Sequence, residues 1–359
     1  MSSVGIVIPV CNCLEYTRRC IRSIRAHCRE VGPQVVIVDN GSNDGTGEFL
    51  LAQAREATII TNSVNRGFAA ACNQGARAVS ADIVVFLNND TQVLAGWLEK
   101  LIEASASTVD IGAAGSKLLY PDRRVQHAGI AMFYDKTPYH IYAGCPEEAL
   151  CVTRQRTFAA LTAASLLVPR ELFCTAGGFD EEYVNGLEDV DLCLRLRALG
   201  RRLMYAPQSV AVHYESQTPG RGIHAQKNER LFHARWDRHI AQDDLMYLLE
   251  DDMEVLFYPG SAAPAFVPRG QARAEIGPNL QVAEALERSG RLHKAMNALA
   301  QLCRIAPYSA DILHQCESVA RSVGNRQLAA ACRQRLATLA RYAARSRSGN
   351  CELTAKEST

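Results

Sequence analysis

Three polar residues, Asn88, Asn89 and Asp90, follow directly on a short apolar run and are the first candidates for chemistry in this chain. The run before them, residues 83–87 (IVVFL), is typical of a buried parallel strand. Two amides and an acid at the end of such a strand need water, a turn or a ligand. One interpretation is an Asx turn, in which these side chains bond to nearby backbone groups. The other is an oxygen-rich site for a cation or a diphosphate.

Polar side chains also follow the other predicted strands of the first hundred residues. Asn12 comes after the first strand, Asp39 ends the second, and Asn65 follows the third. In a parallel sheet covered by helices, the carboxyl ends of the strands meet at one edge, and ligands bind there. This shared position favours a ligand site, rather than a simple turn, after the fourth strand.

Alternating strand and helix patterns predict how these residues are positioned. Strands are predicted at residues 4–10, 34–39, 58–61 and 83–87, and helices at 15–28, 68–79 and 95–105. Repeated βα units of this length imply an α/β fold whose sheet is doubly wound and mainly parallel.

The composition is that of an ordinary soluble globular protein, with 48% hydrophobic and 21% charged residues. A formal net charge of +1 gives no general attraction to nucleic acid, so no nucleic-acid partner is expected. No run of about 18 apolar residues is present to span a bilayer. The 13 cysteines are scattered without a CxxC pair and are predicted to be free thiols, mostly in the core of a protein in a reducing compartment.

The glycine-rich motifs that bind nucleotides are absent from the sequence. It has no GxGxxG that opens a helix and no GxxxxGK[ST], so the dinucleotide and P-loop interpretations lose their main support. The remaining candidates are acids and amides. Because a carboxylate repels phosphate unless a divalent cation lies between them, an Asp90 that faces a diphosphate implies Mn²⁺ or Mg²⁺, which favour oxygen ligands.

Seven motifs, taken in order, resemble the pattern of family 2 glycosyltransferases with the GT-A fold. The resemblance is closest to the bacterial branch of rhamnosyltransferases for polysaccharide and lipopolysaccharide, and it covers roughly residues 3–240. The motifs are VIPVCN, VDNGSNDGT, NRGFAAACNQG, FLNNDTQV, GGFDEEY, GLEDVDLCLRLRALG and VAVHYES.

The resemblance implies a nucleotide pocket at the carboxyl edge of the sheet. In the family pattern, Asp39 would accept the N3–H of a pyrimidine base, and capping of the following turn is the alternative role. The other residues that the resemblance places in this pocket are Pro9, Asn12, Asn65, Arg66, Gly67, Asn88 and Asn89.

The resemblance also implies a divalent cation beside the diphosphate. Asp90 matches the last acid of the family's DxD element, which here reads Asn88-Asn89-Asp90, so one carboxylate stands where the family pattern has two. His213 resembles the late histidine of the family, which reaches the metal or the diphosphate. We therefore predict that Asp90 and His213 hold Mn²⁺ or Mg²⁺, with a structural role as the alternative for the histidine.

The acceptor side of the reaction is predicted from the acid pair at 188–189. The resemblance places the general base in this pair, and we assign it to Asp189, with Glu188 orienting the acceptor. The alternative is that these acids are only stabilised by the helix dipole in a first helical turn. One base with a metal-held leaving group suits single displacement with inversion. Gly177 and Gly178 would let the backbone approach the donor sugar, and a plain turn is their alternative.

The pattern changes after residue 240. Residues 241–277 are predicted to be an acidic helix and a Pro/Gly/Ala-rich linker, 278–345 a tetratricopeptide-like helical extension with a 34-residue period, and 346–359 a disordered tail. Two repeats are fewer than the usual three, so the extension is a candidate interface for a protein partner or a second copy. Its surplus of Lys and Arg is either a solvated face or a contact with an acidic partner or anionic lipid.

The sequence therefore predicts an inverting, metal-dependent glycosyltransferase with a GT-A domain at residues 1–240. Its donor would be dTDP-rhamnose or a UDP-sugar, and its acceptor a glycan or lipid-linked glycan of bacterial surface polysaccharide synthesis. The alternative is a catalytically weak nucleotide-sugar-binding or scaffold protein that acts through its helical extension. A cytoplasmic location is expected, either free or peripheral at the inner membrane.

Overall fold

The computed structural model describes residues 2–215, 223–261 and 263–347. The chain divides into two compact units, Met1–Gln242 and Asp243–Thr359. The first unit contains the α/β elements, and the second consists mainly of helices.

The first unit alternates strands and helices over its first half, as predicted. Its strands are β1 (Val4–Val10), β2 (Gln34–Asn40), β3 (Thr58–Asn62), β4 (Ile83–Leu87), β5 (Thr91–Val93), β6 (Ile111–Leu119), β7 (Val125–His127), β8 (Ile130–Met132), β9 (Pro138–His140), β10 (Arg156–Thr157), β11 (Ser165–Pro169) and β12 (Arg202–His213). Its helices are α1 (Leu14–His27), α2 (Thr46–Leu51), α3 (Phe68–Ala78), α4 (Trp97–Ser105), α5 (Leu150–Thr153), α6 (Arg170–Thr175), α7 (Glu188–Ala198) and α8 (Ala225–Trp236).

Ten of these strands form one mixed sheet in the order β10-β12-β6-β11-β4-β1-β2-β3, with β5 beside β12 and β7 beside β6. The four strands β1 to β4 are parallel, whereas β11 runs antiparallel between β4 and β6. The α/β prediction is confirmed, and the sheet is of the mainly parallel, helix-covered type.

The pairing brings four strand ends to one edge of the sheet. Strands β1, β2 and β4 are parallel neighbours, so their carboxyl ends, Val10, Asn40 and Leu87, lie together. Two antiparallel steps through β11 give β6 the direction of β4, and β12 is parallel to β6. His213, the last residue of β12, therefore ends at the same edge as Leu87, which is where the sequence places its polar candidates.

A dense core makes this edge a fixed platform. All seven residues of β1 are buried, and Ile21 and Ile24 of α1 pack in the same core. Trp97 at the start of α4 is fully buried, and its Nε1–H donates to Ser116 Oγ at 2.9 Å and Ser165 Oγ at 3.0 Å. Because a buried indole N–H is costly to leave unpaired, these serines allow α4 to pack deeply against the sheet.

The second unit contains the helical C-terminal region that was predicted. Its elements are α9 (Asp244–Glu250), β13 (Met253–Leu256), β14 (Ala265–Pro268), α10 (Arg269–Arg288), α11 (Leu292–Ile305), α12 (Ala310–Ser322) and α13 (Arg326–Arg347). Gly290 and Gly324 lie 34 positions apart, and each follows the end of a helix. Their φ values are 76° and 78°. Both helix ends therefore use the left-handed conformation that favours glycine.

Residues 241–277 are more ordered than the linker that their composition suggests. β13 and β14 pair antiparallel, and α10 begins at Arg269, directly after Pro268, where a proline is well tolerated. Leu256 is fully buried in the same core as Ile276. The apolar positions of this segment are spread over a hairpin and a helix start, so no single periodicity reveals them. Residues 348–359, most of the predicted disordered tail, lie outside the described residues.

Among the described residues, none of the helices is long and apolar enough to cross a membrane. The twelve described cysteines are all free thiols, and most are buried, as predicted.

Candidate active site

A cavity of about 320 Å³ opens at the carboxyl edge of the sheet and collects many of the predicted residues. The predicted residues that line it are Pro9, Asn65, Asn88, Asn89, Asp90, Glu188 and Asp189. They come from the ends of β1 and β4, the start of α3 and the start of α7. The structure thus brings the candidate metal ligand Asp90 and the candidate base Asp189 to one cavity, although they lie 99 positions apart in sequence.

The remaining predicted residues do not line this cavity. They are Asn12, Asp39, Arg66, Gly67, Gly177, Gly178 and His213. His213 lies directly behind the cavity wall, where it contacts Asp90.

Asp39 and Asn12 brace the loop that follows β2. The Oδ1 of Asp39, which is buried, accepts a hydrogen bond from Ser42 N at 3.0 Å. The Oδ1 of Asn12 accepts one from Asn43 N at 2.7 Å. This is the turn-capping geometry that the sequence left open for Asp39. Its contact with a nucleobase stays a prediction.

Asn40 is a polar residue of the cavity that the sequence analysis did not select. Its Nδ2 donates to Asn65 Oδ1 at 2.8 Å and to Gly67 O at 3.1 Å, while its Oδ1 accepts from Arg66 N at 3.1 Å. Asn40 therefore shapes the whole Asn65–Gly67 loop through one side chain. The available signal was its position beside Asp39 at the end of β2.

A chain of polar side chains leads from Asp90 away from the cavity. Asp90 Oδ1 lies 3.0 Å from His213 Nε2, and His213 Nδ1 lies 2.6 Å from Gln126 Oε1. Gln126 Nε2 in turn donates to Glu215 Oε2 at 2.9 Å. A carboxylate only accepts, so the Gln126 amide nitrogen must face Glu215 and its oxygen must face His213.

This chain determines which atoms His213 presents to Asp90. Because Gln126 Oε1 is an acceptor, His213 Nδ1 carries the proton and donates to it. His213 Nε2 then points a lone pair at the Asp90 carboxylate, 3.0 Å away. Two acceptors at that distance repel each other, so a proton or a cation must lie between them. The order Asp90, His213, Gln126 has the form of a metal ligand supported by an outer partner.

Asn88 completes this corner of the cavity. Its Oδ1 is buried and has no hydrogen-bond partner among the described residues, although its Nδ2 lies 3.3 Å from His213 Nε2. The turn after β4 uses the backbone carbonyl of Asn88 instead, which accepts from Thr91 N and Thr91 Oγ1. The side chain of Asn88 thus does not cap that turn. A buried, unpartnered amide oxygen beside a carboxylate fits a hard cation.

Asp189 and Glu188 form the first turn of α7. The three residues before them have positive φ: Asn185 at 52°, Gly186 at 152° and Leu187 at 70°. Gly and Asn adopt positive φ readily, but the left-handed conformation is costly for a leucine, so Leu187 stores strain directly before α7. Glu188 is held by a hydrogen bond to its Oε2 from Gly186 N at 2.6 Å.

Two backbone groups hold the Asp189 carboxylate. Its Oδ2 accepts from Ala163 N at 3.0 Å and its Oδ1 from Val190 N at 2.8 Å. The next residue, Ala164, accepts a hydrogen bond from Asn88 N at 3.0 Å. A short segment therefore connects the candidate base to the end of β4. Each carboxylate oxygen keeps a second lone pair for an acceptor hydroxyl.

Asp191, two residues later, has a structural role. It is 1% exposed and accepts hydrogen bonds from Trp236 Nε1 at 2.9 Å, Arg195 Nε at 2.8 Å and Arg235 Nη1 at 3.4 Å. We expect Asp191→Asn to lower the free energy of unfolding by about 2–4 kcal/mol, because two cations would lose a buried partner. Urea unfolding followed by tryptophan fluorescence reports on this unit, since both tryptophans, Trp97 and Trp236, belong to it.

The control for this prediction is Glu15→Gln, which removes the charge of an exposed pair with Arg18. Such a pair contributes at most about 1 kcal/mol, so its unfolding curve should nearly overlay that of the parent chain. Equal curves for the Asp191 and Glu15 variants would show that Asp191 does not stabilise this unit.

Neither Gly177 nor Gly178 lines the cavity, and Gly178 packs against Asn73 of α3. Both have positive φ, 86° and 73°. A Cβ on Gly178 would lie 2.7 Å from Asn73 Oδ1, which accepts from Phe179 N. The positive φ of both residues and the close packing of Gly178 thus explain why glycine occupies these positions. A contact with the donor sugar stays a prediction.

The hairpin of β8 and β9 covers another part of the cavity with Pro138, Tyr139 and His140. His140 Nδ1 lies 3.0 Å from Nδ1 of His127, a buried residue of β7. Burial lowers the pKa of His127 well below its ordinary value, so this imidazole stays neutral. These residues come from an irregular part of the sequence in which no motif identified them.

The family comparison agrees with the motifs. Residues 5–140 match the model of glycosyl transferase family 2. This region contains β1 to β4 and the Asn88–Asp90 turn, so it includes two of the polar residues that line the cavity, Asn88 and Asp90. Asp189 and His213 lie outside the matched residues.

Two relatives carry informative names. The chain is 31% identical over 221 residues to the O-antigen biosynthesis protein RfbC of Myxococcus xanthus, which covers 59% of this chain and 17% of RfbC. It is 29% identical over 212 residues to the N-acetylglucosaminyl-diphospho-decaprenol L-rhamnosyltransferase of Mycobacterium tuberculosis, which covers 52% of this chain and 68% of that protein. The chain thus spans only a small part of the length of RfbC.

A solved structure shows the same fold. The crystal structure of GalNAc-T7 with UDP, GalNAc and Mn²⁺ aligns with a TM-score of 0.54 at 16% identity, over 70% of this chain and 51% of that one. At this identity the similarity concerns the fold alone. The two findings agree, because the residues that match glycosyl transferase family 2, 5–140, lie in the unit that has the GT-A fold.

Proposed function

We propose that the chain transfers a sugar from a nucleotide-sugar donor to a hydroxyl of a glycan or lipid-linked glycan, with inversion at the anomeric carbon. The observation that carries this proposal is the cavity at the carboxyl edge, which contains Asp90, Asn88 and Asp189. Leaving-group stabilisation and proton removal need two different carboxylates in one cavity, and these positions supply them.

The donor is proposed to carry a pyrimidine nucleotide. The rhamnosyltransferase relative favours dTDP-rhamnose, and the GalNAc-T7 structure, which contains UDP, favours a UDP-sugar. Asn40 ends β2 and Asn65 follows β3, so both lie further along the sheet from Asp90 than Pro9, which lies on the neighbouring strand β1. The base and ribose are proposed to bind on this side of the cavity. Asp39 supports that wall from the adjacent turn.

A divalent cation fits the corner formed by Asp90, Asn88 and His213. The carboxylate, the unpartnered amide oxygen and the oriented Nε2 offer ligand atoms of the kinds that Mn²⁺ accepts. When bound, the ion would supply positive charge to the leaving diphosphate. Gln126 keeps His213 in the tautomer that leaves Nε2 available.

Asp189 is proposed to take the proton of the acceptor hydroxyl. As the acceptor oxygen forms a bond to the anomeric carbon, its proton moves to Asp189, and the bond to the diphosphate breaks with its electron pair going to the leaving nucleotide. Glu188 is proposed to orient the acceptor from the same helical turn. A single attack of this kind inverts the anomeric configuration.

The acceptor and location follow from the relatives only as proposals. The decaprenol in the name of the rhamnosyltransferase relative suggests a lipid-linked acceptor, so the chain would work at a membrane surface. The basic surplus of the helical region, eleven Lys and Arg against four Asp and Glu over residues 281–347, would favour an anionic surface there.

Thermal unfolding with nucleotides tests the donor proposal directly. We expect dTDP or UDP, each with Mn²⁺, to raise the Tm, whereas GDP and NAD do not. At a ligand concentration of a hundred times Kd, the stabilisation is about 2.7 kcal/mol. The absence of a shift with every nucleotide, with and without Mn²⁺, would contradict the proposal.

A further inference from the structure

Three cysteines meet in the core of the second unit, far in sequence from the candidate active site. Cys303 lies on α11, Cys316 on α12 and Cys332 on α13. Their Sγ atoms all lie within 4.8 Å of one another. The three residues are between 0% and 5% exposed. Three separate helices thus each direct one thiol to the same point.

We propose that Cys303, Cys316 and Cys332 form a binding site for one soft metal ion with a closed d¹⁰ shell, Cu⁺ or Zn²⁺. Thiolates select ions of this class over hard ions such as Mg²⁺ and Mn²⁺. The site is therefore distinct in chemistry from the oxygen-rich corner at Asp90.

The distances suit a shared ion. With metal–sulfur bonds of about 2.3 Å, three sulfurs around one ion lie about 4 Å apart. The observed limit of 4.8 Å leaves only a small contraction. A helix core that contained cysteines only as small apolar side chains would have no need to place three of them in mutual contact.

A cation lies beside the three thiols. The Arg335 guanidinium donates to Cys303 O at 3.3 Å, which fixes it next to the cluster. A half-buried cation at this point offsets negative charge on bound sulfur. Each thiol that becomes a ligand releases its proton to solvent.

The number of ligands favours Cu⁺, whereas the net charge of the site favours Zn²⁺. Within the described residues, no His, Asp or Glu side chain joins the group. Three sulfurs suit Cu⁺, whereas structural Zn²⁺ sites almost always have four ligands, so Zn²⁺ would need an added solvent or thiol. The net charge of three thiolates, Zn²⁺ and Arg335 is zero, which favours Zn²⁺ in a buried place.

The primary test uses the full chain without mutation. The reduced protein is treated with N-ethylmaleimide in the absence of metal, with Cu⁺ buffered by bicinchoninate, or with Zn²⁺, and the modified peptides are quantified by mass spectrometry. We expect one of the ions to slow modification of the three cysteines about a hundredfold at a free concentration of a hundred times Kd. The exposed Cys174 serves as the internal control and should react equally in all three samples.

A second test measures stoichiometry with Cd²⁺ as an optical probe. One equivalent should produce an ultraviolet thiolate-to-metal charge-transfer band, and Cys316→Ser should lose most of it while Cys174→Ser keeps it. Far-UV circular dichroism checks that the Cys316 variant retains its helices. Equal modification rates with and without both ions, or a band that is unchanged in Cys316→Ser, would overturn the proposal.

Discussion

Asp189→Asn is expected to lower the turnover of sugar transfer by about a hundredfold to ten-thousandfold, the contribution typical of a positioned general base. The asparagine side chain has nearly the shape of aspartate, but its amide cannot take the proton of an acceptor hydroxyl. Binding of the donor nucleotide should be retained, because the contacts of Asp189 are to Ala163 N and Val190 N.

The assay is release of nucleoside diphosphate from the donor identified by the thermal screen, in the presence of a lipid-linked glycan acceptor. A modest loss of stability, about 1 kcal/mol, should accompany the substitution. The reason is that the amide nitrogen of asparagine would face one of the two backbone N–H groups. Rates are therefore compared well below the Tm of the variant.

Glu182→Gln is the matched control, because Glu182 is exposed, pairs with Arg235 and does not line the cavity. Its turnover should equal that of the parent chain. Parent-level turnover in Asp189→Asn would remove Asp189 from the role of base. The anomeric configuration of the product, read by NMR, tests inversion independently.

The sequence predicted the parts of the site that depend on local pattern. Apolar runs at 4–10 and 83–87 became β1 and β4 with those bounds, because a strand buried on both faces leaves a continuous apolar signal. Polar residues after those runs were correctly expected at one edge, since parallel strands end together. The position of Asp189 in the first turn of α7 also follows from its local motif.

The parts that the sequence did not reveal depend on distant contacts. Gln126 lies 87 positions before His213 and belongs to a three-residue strand, so no spacing connects the two. The sequence analysis selected Asp39 and not its neighbour Asn40, although Asn40 lines the cavity and Asp39 does not. The segment 241–277 looked like a linker because its hairpin and helix start each contribute few buried side chains.

Asp90→Asn is the second substitution with a large expected effect. It removes the negative charge of the metal corner but keeps the shape of the side chain. We expect the Mn²⁺-dependent part of the nucleotide-induced Tm shift to disappear. Turnover should fall by about a hundredfold to a thousandfold, as when one preorganised electrostatic group is lost from a reaction site.

The measurement is a Mn²⁺ titration followed by the electron paramagnetic resonance signal of the free ion, with dTDP or UDP present. The parent chain should remove free Mn²⁺ from solution only when the nucleotide is added, since one carboxylate, one amide and one imidazole make a weak site alone. Asp122→Asn, an exposed acid outside the cavity, should behave like the parent chain.

Gln126→Leu tests whether His213 is a metal ligand or has only a structural role. Without the acceptor Oε1, the imidazole no longer has a reason to hold its proton on Nδ1, and the Nε2 that faces Asp90 can become protonated. Loss of such an outer partner typically weakens metal affinity about tenfold to a hundredfold. A variant with lower Mn²⁺ affinity but an unchanged Tm without ligand would support the ligand role. An unchanged affinity, combined with a lower Tm, would make the Asp90–His213–Gln126 chain purely structural and leave Asp90 and Asn88 to bind the ion alone.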